Sequence, residues 1–235
     1  MDAVILDVGG VLLVPHEEPV NMALSAFGLE LDGAQAERAH YFGVHAMDLA
    51  GDDESAARLA YLVGYADAAG VPAPSRVAAI DRMREVWGGP TIDLWRRGVS
   101  GSTEGLKRLA ANGRKMGIVS NADGTIEAQL RRNEICQVGE GLGVPVLAIV
   151  DSHVVGIAKP AAEIFRHALE PLGVEPADAM YVGDTVRYDV RGARAAGLRP
   201  VHFDPFDLCA DRTDHAHVRR LIEVEPLLDQ SYEQS

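Results

Sequence analysis

The chain is short of cysteine, of lysine and of aromatic residues, and each shortage narrows what it can be. Its two cysteines, Cys136 and Cys209, lie far apart and outside any C-x-x-C spacing. That excludes a disulfide framework and a zinc ribbon, and it sets a reducing, cytoplasmic location as the expectation. Lysine occurs three times, at positions 107, 115 and 159, and basic residues number 22 against 35 acidic ones, a net charge of −13. Such a balance disfavours sequence-independent binding to nucleic acid or to an anionic membrane. An acidic chain that binds a phosphate ester therefore needs a local cation. No apolar run reaches the length of a membrane span, and no basic leader precedes the first apolar stretch. Repeats and low-complexity tracts are absent too. Aromatics make up 6% against 47% hydrophobic residues overall, so the core is aliphatic. The 235 residues suit one large α/β domain, or a core of about 150 residues with a smaller insert.

The most informative stretch is Ala3 to Leu13, AVILDVGGVLL. Ala3 to Leu6 reads as a buried strand bounded by a turn, and it delivers Asp7 to the point where the chain leaves the sheet. Gly9 and Gly10 permit a sharp turn and a close approach of backbone to ligand. Ligands of open parallel sheets sit beyond the carboxyl ends of strands. Asp7 is thus a candidate nucleophile or metal ligand, or simply a turn-capping residue.

From Val20 to Val86 the pattern is helical, with segments 20–27, 34–49, 54–69 and 75–86 separated by Gly, Pro and Asp. Residues 15–97, which contain this block, carry seven arginines and no lysine. From Val99 on, helices and strands alternate: strands at 115–119, 146–150, 180–182 and 199–203, helices at 103–111, 125–132, 161–172 and 186–196. Alternation of this kind predicts a doubly wound, Rossmann-like parallel sheet covered on both faces. The core comprises residues 1–14 and 98–235, and residues 15–97 form an inserted all-helical domain.

Four strand ends carry chemistry. In GDTVRYD, Asp184 ends a strand and Asp189 follows five residues later in a helix, so that both carboxylates converge near Asp7. Three such carboxylates repel one another, and a hard divalent cation resolves the conflict; Mg²⁺ suits a few carboxylates, waters and a phosphate oxygen. Helix capping by Asp184 is the plainer alternative. Ser120 and Asn121 close the strand MGIVS and offer a hydroxyl and backbone amides to a phosphate oxygen, or serve as ordinary helix caps. Lys159 precedes Pro160, which favours an extended lysine and a first helical position for the proline. Held so, the lysine places a point charge on nucleophile and phosphate. Asp211, Asp214, His215 and His217 read as a solvated turn and the start of a strand.

Asp7 in DVGGVL, Ser120 in VSN, Lys159 in GIAKP and the Asp184–Asp189 pair stand in the order of the four motifs of the haloacid dehalogenase superfamily, and the chain resembles that family over nearly its whole length. The resemblance implies a Rossmann-like core and a helical cap between the first and second motifs. It implies a nucleophilic Asp7, and Mg²⁺ held by Asp7, the Gly9 carbonyl, Asp184 and Asp189. Phosphate would be bound by Gly9, Gly10, Ser120, Asn121 and Lys159, with Asp7, Lys159 and Ser120 catalytic. The implied reaction is hydrolysis of a small phosphorylated metabolite through an aspartyl-phosphate, by a monomer or homodimer with neither nucleic-acid nor membrane partners. Candidate cap contacts are His16, Arg38 and Tyr41.

One departure matters. Phosphatases of this family usually carry a second Asp, a general acid and base, two residues after the nucleophile; here that residue is Gly9. A positioned acid or base contributes about 10²–10⁴ in rate. A slow phosphatase, helped by His16 or by a good leaving group, is therefore one expectation. A non-catalytic Mg²⁺- and phosphate-binding regulator is another. A 2-haloacid dehalogenase is a third, although such enzymes use no metal and lack the paired carboxylates. Phosphonate cleavage needs a cap lysine, which this block does not have.

Overall fold

The computed structural model describes residues 1–229. The chain falls into two compact units, one formed by Met1–Leu12 with the chain from Gly98 on, the other by Leu13–Arg97. In chain order the strands are β1 (Ala3–Leu6), β2 (Leu13–Pro15), β3 (Trp95–Gly98), β4 (Lys115–Ser120), β5 (Cys136–Val138), β6 (Val144–Val146), β7 (Ala148–Asp151), β8 (Ala179–Gly183), β9 (Arg199–Phe203) and β10 (Ala216–Val218).

The first unit is built on a six-stranded sheet of order β10-β9-β8-β1-β4-β7, and its neighbours pair in parallel. β1 lies in the middle, between β4 and β8. A strand covered on both faces must be apolar on both, and all four residues of AVIL are buried. One face packs Ile5, Val119 and Tyr181 against Ile164, Phe165, Ala168 and Leu169. The register sets Leu6 opposite Ile118 of β4 and Val182 of β8. The residues that follow, Asp7, Ser120 and Asp184, consequently leave the sheet along the same edge.

Three elements differ from the sequence reading. The strand expected at 146–150 is two: β6 pairs with β5 in a separate ribbon, and β7 joins β4. Pro145 within β6 has no N–H for a central ladder and so belongs in a short two-stranded pairing. The segment expected as a helix from Ala161 begins as a 3₁₀ turn, Ala162–Phe165, before the α-helix Arg166–Leu172, and Pro160 lies in the preceding turn, joined to Lys159 by a cis peptide bond. The segment expected as one helix from Val186 opens with a π turn, Val186–Val190, and only then becomes α-helical over Arg191–Ala195.

The second unit contains helices Glu17–Leu24, Gly33–Leu49, Glu54–Ala68 and Arg76–Trp87. Asp32 and Gln35 form a capping box at the second of them, and Asp53 caps the third through the Ala56 amide, the side-chain acceptors that orphan helix donors require. Val20, Leu24, Ala36, Ala39, Tyr65, Ile80 and Met83 fill the core between the helices. The block is not all-helical: β3 pairs with β2. Its sequence, WRRG, has no apolar alternation; what fixes it is the pairing and Trp95, whose ring stands edge-on to His40 at 5.4 Å. No helix among the described residues is long and apolar enough to cross a membrane.

Candidate active site

At the carboxyl edge of the sheet, Asp7, Asp184 and Asp189 each bring one carboxylate oxygen within 4.8 Å of the others, and all three residues are buried. The loops after β1 and β8 make this possible by omitting side chains. Gly10 adopts φ +68°, and a Cβ there would overlap the Asp184 carboxylate; one on Gly183 would overlap that of Asp189. The space the two carboxylates occupy is thus cleared by glycine.

Lys159 is the cation the acidic chain needs. Its Nζ donates to Asp189 Oδ1 at 2.8 Å and to the Tyr181 hydroxyl at 2.7 Å, and lies 2.9 Å from Asp7 Oδ2. Its backbone is clamped by Asn121: the Lys159 amide donates to Asn121 Oδ1 at 2.8 Å, and Asn121 Nδ2 donates to the Lys159 carbonyl at 3.0 Å. The loop after β4 therefore sets the position of the lysine.

Asp189 is the most fully engaged of the three acids. Its Oδ1 accepts from Lys159 and from Tyr181, while its Oδ2 accepts from the Thr185 amide at 3.0 Å and the Thr185 hydroxyl at 2.6 Å. Four donors use the roughly four acceptor positions that a carboxylate has. The π turn is what aims Asp189 back at Thr185, a use of this rare geometry common at functional sites.

One lysine does not neutralise three acids. Burial, only partly offset by Lys159 and reinforced by Asp189 and Asp184, pushes the Asp7 carboxyl up to about 7. For Asp189 burial acts in the same direction, but the charge and hydrogen bond of Lys159 and the bonds from Thr185 prevail and hold it below the usual range. Burial would lower Lys159, yet its two acid partners outweigh that and raise it. The donors gathered here are all oxygens, the type that suits a hard divalent cation.

Removing the lysine should therefore be costly. With Lys159→Met we expect a loss of about 3–5 kcal/mol, the usual effect of stranding a buried charge. Urea denaturation in Mg²⁺-free buffer measures it; an unchanged midpoint and slope would contradict the pairing described.

The remaining expected residues fall as follows. Ser120 is buried at the end of β4, on the edge where Asp7 emerges. Neither it nor Asn121 caps the following helix, which begins at Ile126 after Thr125. The side chain of Asn121 serves Lys159. Asp184 does not cap the helix after β8; that role is Thr185's, whose hydroxyl accepts from the amides of Tyr188 and Asp189. His16 caps the helix Glu17–Leu24 through the Glu18 amide, Arg38 stacks over the Phe42 ring at 4.1 Å, and Tyr41 is buried within the helical unit.

The sequence pattern does not single out Tyr181 or Thr185. Tyr181 reads as a core aromatic of a strand, and only its neighbours reveal the hydroxyl's use; Thr185 was legible as an N-cap between two acids. The polar segment near the C-terminus is also less solvated than expected: the His215 side chain is fully buried, although that of Asp214 is 60% exposed.

Comparison with known proteins bears on the family and the fold. The family model described as haloacid dehalogenase-like hydrolase matches residues 1–197. A phosphoserine phosphatase of Thermus thermophilus is 48% identical over 67 residues, 28% of this chain and 27% of that protein. The mouse haloacid dehalogenase-like hydrolase domain-containing protein 3 is 35% identical over 131 residues, 55% of this chain and 48% of that one. The matched stretches thus span about half or less of these relatives. Among solved structures, a HAD phosphatase from Thermococcus onnurineus superposes with a TM-score of 0.56 at 23% identity, over 97% of this chain and 98% of that one, which establishes a common fold.

Proposed function

Because the chain belongs to the haloacid dehalogenase-like hydrolase family, we propose that it is a Mg²⁺-dependent phosphatase of small phosphate monoesters, with Asp7 as the nucleophile. The observation that carries the reading is the buried convergence of Asp7, Asp184 and Asp189 around a single lysine. In this proposal Asp7, Asp184 and the Gly9 carbonyl hold the ion, while Asp189, expected from the sequence as a further ligand, stands beside them with its oxygens already engaged. The saturation of Asp189 by Lys159, Tyr181 and Thr185 favours an indirect part for it, the orientation of Lys159. Bound there, Mg²⁺ supplies charge neutralisation for the phosphoryl oxygens.

The chain's own groups do the rest. An Asp7 oxygen attacks phosphorus in line, the bond from phosphorus to the ester oxygen breaks, and the phosphoryl group rests on the aspartyl carboxylate. Lys159 holds Asp7 by charge and stabilises the negative charge that develops. Ser120 and the backbone amides of Gly10 and Asn121 cradle phosphate oxygens. Water then attacks the acyl-phosphate and regenerates Asp7. The leaving oxygen takes its proton from solvent, because position 9 carries no side chain. Residues 15–97 act as the cap that selects the substrate.

The test is hydrolysis of para-nitrophenyl phosphate, whose leaving group needs little acid assistance, with Mg²⁺ and with chelator. We expect turnover only with Mg²⁺. Metal-independent chloride release from 2-chloropropionate would instead establish a dehalogenase. Mg²⁺ and phosphate binding without turnover would establish the non-catalytic reading that Gly9 favours.

A further inference from the structure

The site above leaves unused a second cluster on the same sheet, formed by His202 of β9 with His215 and His217 of the β10 segment. His202 and His217 face each other in the parallel register, and His215 lies two residues earlier, so that one strand face gathers all three rings. Centroids are 4.5 Å apart for His215 and His217, 5.1 Å for His202 and His217, and 5.4 Å for His202 and His215. One ring nitrogen from each lies within 4.8 Å of the others.

The hydrogen bonds fix which nitrogens these can be. His202 Nε2 is 3.0 Å from the Asp184 carbonyl, His217 Nε2 is 2.8 Å from the Arg212 carbonyl, and His215 Nδ1 is 2.9 Å from Asp214 Oδ1. A carbonyl or carboxylate oxygen only accepts, so each of those nitrogens carries the proton. The opposite nitrogens, His202 Nδ1, His215 Nε2 and His217 Nδ1, are then bare lone pairs when the rings are neutral. His202 Nδ1 and His215 Nε2 nevertheless face each other at 3.4 Å, with no proton to share. His217 Nδ1 is buried without a hydrogen-bond partner, with Asp204 Oδ2 3.8 Å away. Burial lowers His202 and brings His215 down to about 4, which keeps both rings neutral at physiological pH.

Two lone pairs that face each other, beside a third nitrogen with no donor to meet, call for a cation. Two nitrogens on a tetrahedral zinc ion, each about 2.0–2.1 Å from the metal, lie roughly 3.3–3.4 Å apart, the separation found between His202 and His215. Outer partners that fix each ring's tautomer, a carboxylate among them, are the usual support of metal-bound histidine. We propose that His202, His215 and His217 form a binding site for a divalent transition metal, Zn²⁺ foremost, with the fourth position left to water or to Asp204. The site is distinct in chemistry from the oxygen-only cluster: imidazole selects Zn²⁺ where carboxylates suit Mg²⁺. It touches that cluster at one point, since the ring of His202 holds the backbone carbonyl of Asp184.

The experiment titrates chelator-stripped full-length protein with Zn²⁺ against a chromophoric chelator, with Mg²⁺ saturating throughout to fill the carboxylates. The expected result is one tightly held Zn²⁺ per chain and a thermal midpoint that rises on its addition. Asp214→Asn, a change at an exposed side chain, should weaken binding by about 10–100-fold through loss of the outer carboxylate. His215→Asn and His217→Asn should weaken it further and abolish the rise in midpoint. Asp7→Asn should leave the affinity unchanged. If either histidine variant fails to fold in chelator, Asp214→Asn still decides. Wild-type protein that binds no Zn²⁺ under these conditions, or affinities that stay within threefold of wild type in Asp214→Asn and in the folded histidine variants, would overturn the proposal.

Discussion

Asp7→Asn should reduce Mg²⁺-dependent hydrolysis of para-nitrophenyl phosphate by about 10⁴-fold or more, the scale on which removing a covalent nucleophile acts. The change is nearly isosteric. The Val8 amide that donates to Asp7 Oδ1 at 2.7 Å still has an amide oxygen to meet, and Lys159 keeps its bond to Asp189. With its oxygen toward Val8, the Asn amide nitrogen takes the place of Asp7 Oδ2, 2.9 Å from Lys159 Nζ, so a lowered urea midpoint is expected and rates are compared under conditions where the variant is folded. Steady-state rates together with the denaturation curve are the measurement. A folded variant that retains a tenth of the wild-type rate would remove Asp7 from the role of nucleophile.

Gly9→Asp should act in the opposite direction, and selectively. A carboxyl group two residues after the nucleophile can protonate a leaving alkoxide and later deprotonate water, a contribution of about 10²–10⁴. The gain should be large for alkyl phosphates, such as glycerol phosphates, and small for the aryl ester, whose phenolate leaves without help. Gly9 is not among the positive-φ glycines, so the left-handed strain that a side chain meets at Gly10, with φ +68°, does not arise from its φ. The ratio of alkyl to aryl turnover in the two proteins is the readout. An unchanged ratio in a folded Gly9→Asp protein would mean that the missing acid is not what limits the site.

Much of this arrangement was legible in the residues themselves. AVIL, MGIVS and MYVG are apolar runs that end in Asp, Ser or Gly, and a parallel sheet necessarily lines up such ends. Arg199–Phe203 was read with its observed bounds because both its faces are covered, whereas β2, β5, β6 and β10 have three residues each, too few for a period to show. WRRG could not be read as a strand, since its reason for being extended is a partner some eighty residues earlier. The site divides in the same way. Asp7, Lys159 and Asp184 stand in recognisable local contexts, but the use of Tyr181's hydroxyl depends on where a lysine 22 residues away places its amine. His202 was hidden by its strand: a single histidine within RPVHF gives no hint that two others will cross to it.

The central position of β1 has a consequence for the order in which the protein is made. Its hydrogen-bonding partners are residues 115–118 on one side and 179–182 on the other, so when β1 leaves the ribosome both its neighbours in the sheet are still to be made. At about 5–20 residues per second, the interval between synthesis of Leu6 and of Val182 is roughly 10–35 s. Throughout that time AVIL, apolar on both faces, has no native sheet to enter. The helices of Leu13–Arg97, whose contacts are close in sequence, can meanwhile form. The central strand of the sheet thus stays unpaired until both of its later-made neighbours are available, and the sheet closes only after Val182 is synthesised.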